Sequence, residues 1–146
     1  MIRNKTLFYT LSFTWGLPMT LIGYVAAIVL RALGYQPKKW GYCYYFEVGR
    51  YWGGVNFGPI FITCKDASEH TKNHELGHAH QNCRFGLLMP FIVSIPSAIR
   101  YWSRTWAVNG GFMDWDELSE YDSAWYEGEA TKIGTEFMNW YNNSTK

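Results

Sequence analysis

The chain has 146 residues, enough for one domain with one appended segment. Apolar residues make up 48%, aromatic residues 19% and charged residues only 17%, which excludes a disordered protein. A net charge of +1 leaves no broad electrostatic footprint for nucleic acid.

The near-neutral total hides a gradient, with six cations and one acid in residues 1–50 but two cations and eight acids in residues 113–146. A basic front end beside apolar sequence suits a membrane surface; the acidic tail also fits an ordinary solvated helix face. In chain order, the first element is a run of 25 uncharged residues, 6–30. At about 1.5 Å per residue it is long enough to cross a hydrocarbon core, so it is expected to be a membrane segment. Trp15, Gly16 and Pro18 interrupt it, which predicts either a kinked or a shallow helix. A cleavable signal peptide is disfavoured by the length and the central proline. A buried apolar core helix is the remaining alternative.

Residues 42–48 are aromatic and β-prone, residues 49–54 carry turn signals, and residues 55–64 resume the strand pattern. Gly58-Pro59 suits an edge strand, because proline has no backbone donor. Trp40, Tyr42, Tyr44, Tyr45, Tyr51 and Trp52 fit either an interfacial aromatic belt or packing on that sheet. Asp66 followed by Glu69 is a capping-box pattern that predicts a helix from Ala67 to Arg84, with Gly86 beyond its end. Residues 85–99 are apolar but short and contain Pro90 and Pro96. They read as a re-entrant or interfacial segment, or as a buried core helix. Asp114 and Glu117 repeat the capping pattern and predict a last helix to Tyr141, after which residues 142–146 are expected to fray. Cys43, Cys64 and Cys83 are too few and too scattered for a disulfide framework or a cysteine metal site. A hairpin pairing of Cys43 with Cys64 is weighed against free buried thiols, and a reducing compartment is favoured.

The chemistry lies in His74-Glu75-Leu76-Gly77-His78, an H-E-x-x-H motif inside the first capped helix. Histidines at i and i+4 share one face, about 5–6 Å apart at Cβ, and both imidazoles reach one zinc ion. Glu75, one residue on, is placed to take a proton from water in the open metal position. Chance supplies roughly 0.006 such motifs in this composition, so a helix that merely contains histidines is the weaker reading. His70 and His78 are about 12 Å apart, so His70 does not complete the pair. His70 and His80 are expected to be structural or to support the site from outside.

A catalytic zinc needs a third protein ligand. Among the acids of the last helix, Glu127 is selected by its small neighbours Ser123, Ala124, Ala130, Thr131 and Gly134, which let that helix approach the one bearing Gly77. An incidental acid on a small-residue stripe is the competing reading. Glu129 is expected to face solvent, and Thr131 to hydrogen-bond a ligand. Tyr121, Tyr126, His80 and Arg100 are all open as the group that stabilises an oxyanion.

HELGH with a downstream glutamate helix resembles the gluzincin branch of the zincin metallopeptidases, including the membrane CAAX-processing type. There a later E-x-x-A-D occurs; here Glu127-Gly128-Glu129-Ala130-Thr131 has threonine in place of the acid. Over residues 14–135 the chain is also similar to short bacterial membrane-type proteins with Thr14–Pro18, a central HExGH, Pro96-Ser97 and a Glu-x-x-Ala helix. The resemblance implies a zinc-dependent peptidase.

Together these readings predict an α+β chain, with a membrane-associated segment at 1–34 and a small zincin-like domain at 35–146. Zinc is expected on His74, His78 and Glu127, with Glu75 as general base. The substrate is expected to be a peptide or protein lying along an edge strand near Asn56–Pro59. Membrane lipid is the second expected partner, and the excess of cations after residue 30 places the body in the cytoplasm. Two alternatives stand beside this: a non-catalytic membrane protein in which zinc staples two helices, and an assembly factor that keeps the motif without metal.

Overall fold

A computed structural model describes residues 1–144; Thr145 and Lys146, part of the tail expected to fray, lie outside the described residues. Helices α1 (Lys5–Phe13) and α2 (Leu17–Ala32) come first. Strands β1 (Lys38–Trp40), β2 (Cys43–Glu47), β3 (Gly54–Phe57) and β4 (Ile60–Thr63) follow, then helices α3 (Glu69–Phe85), α4 (Ile95–Asn109) and α5 (Trp125–Ser144). The fold is α+β, as expected. The sheet has the order β1-β2-β4-β3 and is antiparallel except between β2 and β4.

The uncharged run at 6–30 is not one helix. Asn4 caps α1 by accepting from the Leu7 N–H, and the chain then breaks at residues 14–16. Pro18 sits in the first turn of α2, where a missing N–H costs nothing, and the two axes meet at 93°. Among the described residues no single helix is long and apolar enough to cross a membrane, which corrects the expectation of a single membrane helix. α1 instead enters the body. Phe8 is buried in the main core with Tyr42, Phe61, Leu76 and Phe137, and the Tyr9 hydroxyl donates to the Tyr42 carbonyl at 2.6 Å. The first half of α2 is held by the Thr20 hydroxyl, which donates to the Ser12 carbonyl at 2.8 Å.

Residues 55–64, expected as one strand, form a hairpin. Gly58 has φ +68°, and its N–H donates to Asn56 Oδ1 at 2.8 Å, so the turn falls at Gly58-Pro59. β3 is therefore an edge strand with its free side toward the cleft described below. Helix α3 forms as expected but is capped by Ser68, whose Oγ accepts from the Thr71 N–H, because Asp66 lies in a turn at φ +62°.

The last helix starts later than its capping box. Glu117 does accept from the Asp114 N–H at 2.9 Å, yet the pattern closes only one 3-10 turn at Trp115–Glu117. Arg100 and Arg104 explain the stop. They donate to the carbonyls of Ser119, Glu120 and Tyr121, acceptors that a continuing helix needs for itself. α5 begins at Trp125 and runs past Tyr141 to Ser144. Residues 86–94 make a 3-10 turn and a π-helical turn around Pro90 with Met89 and Val93 buried, and α4 follows without a single buried residue, so 85–99 is not one core helix.

Glycine sets the closest contact of the fold. A Cβ on Gly77 of α3 would lie 1.8 Å from the Ala130 carbonyl oxygen of α5, and one on Gly134 would lie 1.7 Å from that of Asn73. The small-residue face around Glu127 does bring α5 onto the helix of Gly77.

Candidate metal centre

That close crossing carries Glu127 into contact with the histidine pair. His74 Nε2 and His78 Nε2 are 3.1 Å apart, and Glu127 Oε2 lies 3.1 Å from the first and 3.2 Å from the second. Glu127 is fully buried and the histidines nearly so. Three donor atoms bound at about 2.0–2.1 Å in a tetrahedron stand about 3.3–3.4 Å apart, so this triangle is close to the size a metal ion requires.

The far side of each imidazole assigns its tautomer. The Thr131 hydroxyl spends its only proton on Asp122 Oδ2 at 2.8 Å, so it accepts from His74 Nδ1–H at 2.8 Å. The Gln81 amide nitrogen donates to the Tyr126 carbonyl and to Glu129, so Gln81 Oε1 accepts from His78 Nδ1–H at 2.8 Å. Both Nε2 lone pairs then point at a carboxylate oxygen. Three acceptors facing one another call for a cation between them, and partners of this kind fix metal-ligand imidazoles. Among the described residues these three form the only group of at least three His, Cys, Asp or Glu side chains arranged to hold a metal ion.

Electrostatics agree with the geometry. With no ion between them, protons on the imidazole Nε2 atoms take the cation's place: donated to Glu127, they outweigh the burial that opposes its ionisation and hold its carboxyl well below its ordinary range. Burial opposes protonation of His74 as well, and Glu127 with Glu75 raises its pKa on balance. Glu75 differs from Glu127. Burial pushes its carboxyl up, the two histidines only partly offset this, and Oε2 has no hydrogen-bond partner. It reaches a cleft of about 660 Å³ whose walls are β3, α3, α4 and the Tyr121–Asp122 turn. Gly54 of β3 makes room for it, since a Cβ there would stand 2.5 Å from Glu75 Oε1. Asn56 ties the same strand to the motif by donating to the Glu75 carbonyl at 2.9 Å.

The remaining histidines separate. His70 is exposed at the cleft rim, 3.6 Å from Asp122. His80 is in the core between Phe8 and Phe137, accepts from the Ile2 N–H, and burial and the N-terminal charge lower its pKa to about 3. Glu129 is not a solvent-facing acid, because it pairs with Arg84 at 2.6 Å and accepts from Gln81. Of the four side chains left open for charge stabilisation, Tyr121 alone lines the cleft, with its hydroxyl 3.1 Å from Ser97 Oγ. Arg100 is taken up by the carbonyls of residues 120 and 121, and Tyr126 packs beside Met19, Met89 and Val93. Cys43, Cys64 and Cys83 are all free.

Sequence reasoning missed Gln81 as the partner of His78, although its i+3 spacing puts it on the same face. Asp122, one of the acids passed over in favour of Glu127, is the anchor of Thr131. Glycine 54 gives no sequence signal, because its role depends on which strand lies against α3. No family model, curated protein or solved structure matches the chain, so its reading rests on this geometry.

Proposed function

We propose that the chain is a membrane-associated, zinc-dependent hydrolase of peptide bonds with a gluzincin-like site. The observation that carries this reading is the convergence of His74 Nε2, His78 Nε2 and Glu127 Oε2, with Glu75 unpaired beside them in an open cleft. A two-histidine, one-carboxylate set is a zinc donor set that leaves a fourth position free for chemistry, whereas structural zinc is closed by four protein ligands. Among the described residues no fourth His, Cys, Asp or Glu joins the cluster, which favours the enzyme over the staple.

Zinc, when bound, polarises the substrate carbonyl and makes water more acidic. The chain's own residues do the rest. Glu75 accepts the proton of the attacking water, a task suited to a carboxylate whose pKa burial has raised. Afterwards it returns that proton to the leaving amine. Tyr121, which lines the cleft with its ring 6.2 Å from that of His74, donates its hydroxyl to the oxygen on which charge develops. Edge strand β3 offers its free backbone groups to an extended substrate. Zinc stoichiometry and cleavage of a peptide library, measured together in wild type and Glu75→Gln, test the assignment. Zinc retained by both, with cleavage by wild type alone, is the expected result; equal cleavage, or none by wild type, overturns it.

A further inference from the structure

Apolar side chains left uncovered by the fold gather on two elements. No residue of α2 after Gly23 is buried, and Ile28 is 68% exposed. The exposed set Leu21, Ile22, Tyr24, Val25, Ile28 and Leu33 covers about half of the circumference of that helix. On the second element Phe91, Ile95, Ile99, Trp102 and Trp106 recur at helical spacing as one exposed stripe, with Phe91 and Trp106 each 69% exposed. The two sets flank one seam, because Met19 of α2 packs against Met89 and Val93 just before α4.

Three observations identify what covers this face. No Asp or Glu occurs in residues 1–46 or 84–113, whereas Arg31, Arg100 and Arg104 lie there; Arg84 is already matched by Glu129. The exposed aromatics include Trp15, Trp102, Trp106 and Trp125, the residue type that settles at a lipid headgroup layer. A helix apolar over half its surface is wrapped by acyl chains without a shaped partner. We propose that α2 and residues 87–106 form one face that sinks into a single leaflet of an anionic bilayer. Trp102 belongs both to the stripe and to the cleft wall, so docking holds the cleft mouth at headgroup level. Resting on the proposed hydrolase, this makes the substrate a peptide segment lying in that layer.

Flotation with vesicles of phosphatidylcholine, with and without phosphatidylglycerol, tests the proposal on the full-length Glu75→Gln chain, so that hydrolysis does not enter the result. Binding to the anionic vesicles is expected to exceed binding to the neutral ones by about tenfold or more. Ile99→Glu with Trp106→Glu should lower binding about a hundredfold while zinc content and circular dichroism stay unchanged. Arg31→Glu, at an exposed position, should cut the preference for phosphatidylglycerol several-fold while circular dichroism stays unchanged. Undiminished binding by the double variant overturns the α4 stripe, and equal binding to both vesicles overturns the anionic lipid. A chain that ignores vesicles and dimerises in buffer shows the face to be an interface between two copies.

Discussion

Each metal-facing imidazole is committed by a single atom behind it, and that makes single substitutions informative. Thr131→Val should leave the fold intact and weaken metal affinity about 10–100-fold, read by competition with a chromophoric chelator, because His74 loses the acceptor that fixes its tautomer. His74→Ala, His78→Ala or Glu127→Ala should remove most of the metal; full retention by Glu127→Ala would place the third ligand elsewhere. Glu75→Gln should keep the metal and lose about 10²–10⁴-fold in rate. His80 supplies a separate test, of stability against pH. Its folded pKa of about 3 lies below the ordinary 6.5, so its contribution is present in full above 6.5 and lost as pH falls toward 3. The slope is about 1.4 kcal/mol per pH unit in that window. Denaturant midpoints from pH 6.5 to pH 4 should fall less steeply in His80→Phe; identical slopes would assign the acid sensitivity elsewhere. The ligands and Thr131 were legible in sequence because i, i+4 spacing is a local property. Spacing puts Gln81 on the face of His78, but what orients its amide is a pair of bonds to α5, and Asp122 acts through Thr131, contacts that spacing does not reveal.

Among elements, the α3–α5 crossing decides whether the site exists. Gly77→Ala puts a methyl group into the Ala130 carbonyl, backbone against backbone, so the helices must separate. A loss of about 1–3 kcal/mol or more in unfolding free energy is expected, together with loss of metal, since Glu127 is carried away from the histidines. Ala130→Gly should not rescue it, because the clash is with the main chain. Helix types and the α+β class were readable from periodicity and capping, but boundaries failed where long-range bonds overrule local signals. Asp114 and Glu117 are a sound capping box, yet two arginines from α4 claim the next carbonyls and hold the chain open. Likewise residues 55–64 read as one strand until Asn56 folds back on Gly58.

For the molecule as a whole, the N-terminal residues are part of the core. Phe8→Ala should cost about 3–5 kcal/mol in denaturant unfolding, a penalty a dangling membrane segment would not show. Uncharged length suggested a membrane segment at 6–30 and Trp15, Gly16 and Pro18 marked its interruption; the 93° size of the bend and which half of the run meets the sheet are not written in composition. Orientation is accessible through Cys64, the one cysteine not buried, which should resist an impermeant thiol reagent in intact cells if the body is cytoplasmic. The ligand geometry also has a topological consequence. His78 and Glu127 are 49 positions apart, and the chain between them contains the irregular stretch with Pro90, α4 with Pro96 and one wall of the cleft. An ion held by both ends ties off that stretch as a closed ring, as a disulfide would. Ring closure of this size restricts the unfolded chain by about 4 kcal/mol. Stripping the ion should therefore speed amide exchange throughout residues 86–124 while strands β2 and β4 exchange as before, so the cluster that can hold the ion would also tether one wall of the cleft.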